Sequence, residues 1–129
     1  MDDDRLLLDT HALIWWATGS RSLSSKVRRL IGDDRTKVFV SAATAWEIAT
    51  KVRLGRLRWT SVETVESYCV GQRFELLSVS FAHAERAGSW PHDHADPFDR
   101  MLAAQSELEV VPLATNDRQI KVFGVKTVW

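Results

Sequence analysis

Five short apolar runs punctuate the chain: Leu6-Leu7-Leu8, Val38-Phe39-Val40, Leu76-Leu77-Ser78-Val79, Val110-Val111-Pro112-Leu113-Ala114 and Val125-Lys126-Thr127-Val128. Each is too short for a buried helix, and most are rich in β-branched residues, so they predict strands. Between them, apolar positions recur at helical spacing. Helices are expected from Thr10 to Ala17, from Ser22 to Ile31 with Ser22 as cap, and from Ser41 to Leu54 with Gly55 just past the end. Further helices are expected from Thr60 to Arg73, from Phe81 to Ala87, from Asp96 to Leu108 and from Asn116 to Phe123. The Asp96-Pro97 step is a strong start signal, because proline fits the first helical turn. Strands alternating with helices predict an α/β fold, an α/β/α sandwich around a central, mainly parallel five-stranded sheet.

A length of 129 residues suits one domain, expected to span residues 1–129. The single cysteine, Cys69, cannot form an internal disulfide, the opening MDDDR lacks the basic start of a secretory leader, and no apolar run approaches a membrane span. A cytoplasmic protein is expected. Charge changes the picture more. The totals cancel at 17 basic and 17 acidic residues, which argues at first against nucleic-acid binding. The halves do not cancel: residues 26–58 hold nine basic residues and three acids, and residues 63–117 hold ten acids and three basic residues.

The acids fall in telling places. Ligands of parallel sheets bind at the carboxyl ends of strands. Asp9 directly follows the first predicted strand, Asp117 follows the fourth, and Glu47 sits on the helix after the second. Asp96 and Asp99 share one face at a helix start. Glu47 lies in an apolar stretch, where a carboxylate is costly to bury unless paired or metal-bound. Each acid also has an ordinary explanation: Asp9, Asp96 and Asp117 as helix caps, Glu47 as a solvated position. Their joint placement at one sheet edge favours a shared site. Converging carboxylates repel one another, a hard divalent cation relieves that repulsion, and oxygen ligands select Mg²⁺ or Mn²⁺. Such a site supports attack of metal-activated water on a phosphodiester.

These residues resemble the motifs of PIN-domain ribonucleases of the VapC toxin type. LLLDTHALIWW resembles that group's first motif, with Asp9 as its first acid. VSAATAWEIATKVRLGRL resembles the second, with Glu47, and HADPFDRMLAAQS the third, with Asp99 as the best match and Asp96 as an additional acid that shares the site or caps the helix. LATND followed by FGVKTVW resembles the closing motif, with Asp117 as the fourth acid, and Thr115 falls where relatives often carry a hydroxyl that orients an acid. The resemblance implies a single PIN domain with Mg²⁺- or Mn²⁺-dependent endoribonuclease activity. It also implies the toxin role in a type II toxin–antitoxin system, a homodimer and a cognate VapB-like antitoxin. Asp9, Asp99 and Glu47 would hold the metal, with Asp117 and Asp96 completing the shell.

Lys51, Arg53, Arg56 and Arg58 follow Glu47 closely and are candidates for carrying an RNA backbone into the site. They equally suit solubilising a helix end or pairing with a partner's acids. Taking away the five site acids and the terminal Asp2, Asp3 and Asp4, expected to fray, leaves nine acids against 17 bases. Neutrality then reads as an acidic cleft in a basic surround.

Rival readings fare less well. His92-Asp93-His94 invites zinc, but without cysteine partners the segment reads as a solvated loop, with one histidine at most touching substrate. His11 and His83 read as structural or surface residues. Ser41 and Cys69 lack a nucleophile's context. A receiver domain lacks its aspartate after the third strand, and a haloacid-dehalogenase-type phosphatase its Asp-x-Asp. The serious alternative is a non-catalytic interaction module, because six tryptophans are many for this length. Trp59 and Trp90, beside polar or loop residues, are the expected interface candidates.

Overall fold

The computed structural model describes residues 4–59 and 61–129. Asp2 and Asp3, expected at a frayed terminus, and Thr60, expected at a helix start, lie outside them. The elements run β1 (Arg5–Leu8), α1 (Thr10–Thr18), α2 (Ser25–Gly32), β2 (Lys37–Ser41), α3 (Ala42–Arg53), α4 (Val65–Gly71), β3 (Glu75–Leu77), α5 (Phe81–Ser89), α6 (Pro97–Glu109), β4 (Leu113–Ala114), a 3-10 helix (Arg118–Phe123) and β5 (Thr127–Val128). The five strands form one sheet in the order β3-β2-β1-β4-β5, every pair parallel.

Alternation along the central strands splits the core in two. Leu6 and Leu8 of β1, Val38 and Val40 of β2 and Ala114 of β4 join one apolar cluster with Ala12, Leu13, Val27, Ile31, Ile48 and Cys69 from α1 to α4. Leu7, Leu113 and Phe39 point to the opposite cluster, with Ala87, Trp90, Leu102, Ala103, Ala104, Ile120 and Phe123. Helices therefore cover both faces, and Leu6, Leu7 and Leu8 of β1 form an unbroken apolar run because neither face meets water there. That is the expected α/β/α sandwich. Fully burying each of these leucines stabilises the fold by about 1.5–3 kcal/mol.

Caps explain most element starts. Ser24, Ser41, Thr64, Ser80 and Asp96 each accept a backbone N–H from the first turn of their helix. The second helix thus starts after Ser24 and not at Ser22, whose backbone N–H bonds to the Ser20 hydroxyl in a preceding turn. The fourth strand is shorter than its apolar run: Val110 is the left-handed end of α6, with φ 53°. The fourth helix is likewise shorter, because Val62 lies outside it, fully exposed.

The chain order 1-2-3 builds outward on one side of β1, and β4 and β5 fill the other. The order reverses between β1 and β4, and ligand crevices of open parallel sheets form at such a switch point. Among the described residues, no helix is long and apolar enough to cross a membrane.

Candidate functional site

Strand β1 ends at Leu8, and Asp9 is the first residue beyond the sheet. Its N–H still bonds to the Ala114 carbonyl of β4 at 3.1 Å. One side-chain oxygen, Oδ1, accepts the Ala12 N–H at 2.7 Å and caps α1. The ordinary role and the candidate role thus coexist, since capping engages one carboxylate oxygen. Burial pushes the Asp9 carboxyl above its usual range; hydrogen bonds from the Thr115 hydroxyl and the Ala12 N–H, and the nearby His11, pull it back, and Glu47 adds repulsion.

Glu47 is 5% exposed on α3. Its Oε1 accepts the Thr10 hydroxyl and its Oε2 accepts the Lys51 ammonium at 2.7 Å. It is therefore a buried and partnered acid, not a solvated position. Thr10 and Asp9 are neighbours in the chain, so Glu47 is held beside the end of β1.

The second group of acids stands on α6 and after β4. Asp96 caps α6, accepting the N–H groups of Phe98 and Asp99 on Oδ1 at 2.9 and 3.1 Å. Asp117 caps the 3-10 helix through the Gln119 N–H at 2.9 Å. Asp99 faces an open cleft of about 870 Å³ that Asp96, Asp117, His92 and His94 also line. Burial pushes the Asp99 carboxyl up to about 6; a hydrogen bond to His94 opposes this, and repulsion from Asp96 and Asp117 reinforces it. Thr115 links the two groups: its hydroxyl bonds to the Asp9 carboxylate and accepts the Asp117 N–H at 3.1 Å.

Among the described residues, one group of His, Cys, Asp and Glu side chains brings three donor atoms within 4.8 Å of one another: His94, Asp99 and Asp117. Two carboxylates and an imidazole so close fit a divalent cation. Asp9, Glu47 and Asp96 are not in that group.

His94 corrects the reading of the loop before α6. It is not solvated: its side chain is 8% exposed, and Nε2 lies 2.9 Å from Asp99 Oδ2. Arg100 explains why. Its guanidinium donates to the carbonyls of Ala87 (2.8 Å), Trp90 (2.6 Å), His92 (3.0 Å) and His94 (2.8 Å), folding the loop onto α6. The same arrangement corrects Trp90, which is 6% exposed, with its ring 4.7 Å from Phe123 and beneath Arg86. Trp59 is half-buried against Tyr68 and donates to the Glu63 carbonyl. The exposed tryptophan is Trp46, 63% accessible, edge-on to Phe98 at 4.8 Å. It borders an apolar groove of about 440 Å³ with Ala42, Val79 and Met101.

His83 is structural: Nδ1 accepts the Ser80 N–H and Nε2 meets Glu109 at 2.8 Å. Cys69 is buried, and burial pushes its thiol up to about 11, which leaves it unreactive. Of the basic run, Lys51 is engaged by Glu47, while Arg53, Arg56 and Arg58 are exposed.

Among solved structures, the chain resembles VapBC2 from Rickettsia felis bound to a DNA fragment from its promoter, with TM-score 0.66, 13% identity, and coverage of 94% of this chain and 92% of that one. It resembles a toxin–antitoxin complex from Klebsiella pneumoniae, with TM-score 0.62, 18% identity and coverage of 90% and 89%. It also resembles FitAcB from Neisseria gonorrhoeae, with TM-score 0.62, 20% identity and coverage of 96% of both chains. These likenesses concern the fold. No curated protein gives a significant sequence match. The family model for the PIN domain matches residues 6–126. That span takes in β1 with Asp9, the acids of α3 and α6, and the turn after β4, so the chain belongs to the PIN domain family.

Proposed function

We infer that this chain is the toxin of a toxin–antitoxin pair: a Mg²⁺- or Mn²⁺-dependent endoribonuclease, acting in the cytoplasm as a single domain over residues 1–129. The observation that carries the reading is the convergence of Asp99 and Asp117, with Asp9 joined through Thr115, at the switch point of a parallel sheet. Asp9, Asp99 and Asp117 would hold the cation. When bound, it supplies Lewis acidity and neutralises charge for attack of water on a phosphodiester. Thr115 orients Asp9 and fixes the turn that carries Asp117. Glu47 stands at the Asp9 side of the site, its charge matched by Lys51, and Asp96 fixes the start of α6 so that Asp99 faces the cleft. Arg53, at the end of α3, and Arg56 and Arg58, in the stretch that follows it, lie past Lys51, where they meet the RNA backbone.

The likenesses to toxin–antitoxin complexes support a VapB-like antitoxin as partner, and the groove beside Trp46 suits an apolar side chain of such a partner or of a second copy. The rival reading, a non-catalytic interaction module, draws on the same exposed Trp46. The deciding experiment incubates RNA with purified wild-type and Asp9→Asn protein in Mg²⁺ or Mn²⁺ and analyses the new ends. Cleavage by the wild type alone, leaving 5′-phosphate and 3′-hydroxyl ends, is expected. Absence of cleavage favours the interaction module, and 2′,3′-cyclic phosphate ends overturn hydrolysis by water.

A further inference from the structure

We propose that His94 is a nitrogen ligand of the divalent cation, alongside Asp99 and Asp117, and that this mixed donor set makes the site prefer Mn²⁺ to Mg²⁺. This rests on the reading of the acidic cleft as a metal site and adds a ligand that carboxylates alone do not predict.

The geometry is that of a coordination edge. Ligand atoms about 2.1 Å from an octahedral ion stand roughly 3.0 Å apart at right angles and roughly 4.2 Å apart across it. His94 Nε2 and Asp99 Oδ2 are 2.9 Å apart, a right-angle edge. With Asp117 the donor atoms close to within 4.8 Å, so small side-chain rotations bring all three onto one ion.

The imidazole is also held in place. Arg100 bonds to the His94 carbonyl and, through those of His92, Trp90 and Ala87, fixes the segment leading to it. The Phe123 ring meets the imidazole edge-on at 5.5 Å. Arg100 directly follows Asp99 on α6, so one turn of helix delivers a carboxylate ligand and also holds the loop that supplies the nitrogen. A ligand fixed in this way loses little freedom on binding. Coordination replaces the hydrogen bond between Nε2 and Asp99 with one bond from each to the ion, the ring proton residing on Nδ1.

Imidazole binds transition-metal ions readily, whereas Mg²⁺ takes oxygen ligands and gives up its waters reluctantly. The nitrogen thus favours Mn²⁺ in a site that oxygen atoms alone would offer to either ion.

Pulsed electron paramagnetic resonance of Mn²⁺ bound to the intact protein reads the ligand directly. The expected spectrum shows ¹⁴N coupling from a directly bound imidazole, replaced by ¹⁵N coupling in wild-type protein labelled with ¹⁵N-histidine. It is lost in His94→Gln, whose Mn²⁺ affinity falls by about 10-fold or more while Mg²⁺ affinity changes by less than about 3-fold. Where His94→Gln fails to fold, the labelled wild type still shows a histidine ligand, and coupling that persists in His92→Gln excludes the other histidine of the cleft; coupling lost in His92→Gln overturns the role of His94. Mn²⁺ that binds and is lost in Asp99→Asn, yet shows no nitrogen coupling, overturns the role of His94 and leaves the metal site standing. Nitrogen coupling that survives in His94→Gln overturns it equally. Failure of Mn²⁺ to bind, or binding unchanged in Asp99→Asn, overturns the metal site itself.

Discussion

Lys51 places its ammonium 2.7 Å from the Glu47 carboxylate, one turn along α3, and so supplies the charge that lets an acid sit 5% exposed beside Asp9. Thr10 meets the other oxygen. Removing the lysine leaves a buried carboxylate with one neutral partner. Lys51→Met should lower stability by about 1–2 kcal/mol in urea unfolding, a value kept modest because the lysine is partly exposed. Glu47→Gln, which keeps the Thr10 bond and needs no counter-charge, should restore most of that loss in the double variant. Equal losses in the single and double variants would show that Glu47 does not depend on Lys51.

Asp9 holds two tasks that one substitution separates. Asparagine caps a helix about as well as aspartate, so Asp9→Asn keeps the bond to the Ala12 N–H. It also removes the cost of burying a charge. The variant should melt at or above the wild-type temperature while losing RNA cleavage and divalent-cation stabilisation by more than about 100-fold, beyond the usual effect of a supporting partner. Asp9→Ala, lacking the cap, should be about 1 kcal/mol less stable than Asp9→Asn. Circular-dichroism melts with and without Mn²⁺, beside an RNA cleavage assay, measure all three.

The sheet was legible because its signal is local. Leu6-Leu7-Leu8 reads as a strand buried on both faces, and the structure sends Leu7 to one core and Leu6 and Leu8 to the other. The positions of Asp9 and Asp117 beyond strand ends were legible for the same reason. His94 and Trp90 were not. Both lie in a segment rich in polar residues, Gly and Pro, which reads as solvated. What buries them is Arg100, and its partners are four backbone carbonyls that leave no mark in the sequence. The arginine was visible only as one more charge on a helix. Trp46 was not legible as an exposed residue for the converse reason: alanines and isoleucine surround it in the chain, yet helical geometry turns it outward.

Arg100 therefore has a specific prediction. Lysine keeps the charge but cannot present a planar fork to several carbonyls. Arg100→Lys should loosen residues 90–94 while the sheet stays intact. Hydrogen exchange should rise in that segment and not in β1 or β2, and stability should fall by about 2 kcal/mol. Unchanged protection there would mean that the loop is held by other contacts.

The raised carboxyl of Asp99 sets a pH dependence. Its pKa is about 6 in the folded protein against an ordinary value of 3.8, chiefly through burial. The folded state therefore binds this proton more tightly than the unfolded chain does. The resulting stabilisation is complete below about 3.8 and is lost as pH rises through about 6. Asp99→Asn lacks this loss. The stability of the wild type relative to Asp99→Asn, measured by urea unfolding without metal, should fall between about pH 4 and about pH 7.5. A difference that stays flat across the window would contradict the burial of this acid.

Arg53 and Arg56 supply the test of RNA docking. Both are exposed at the end of α3 and the turn that follows, beyond the lysine that Glu47 engages. A cation that meets a phosphate of single-stranded RNA releases bound counterions and adds about 0.7 to the slope of log affinity against log salt. Arg53→Ala with Arg56→Ala should therefore flatten that slope by roughly 1.4 and weaken binding alike for RNAs of different sequence. Binding should be measured in catalytically inactive Asp9→Asn protein, so that cleavage does not distort the titration. An unchanged slope would assign these arginines to solubility or to a protein partner's acids, and would move the RNA path to another face of the cleft.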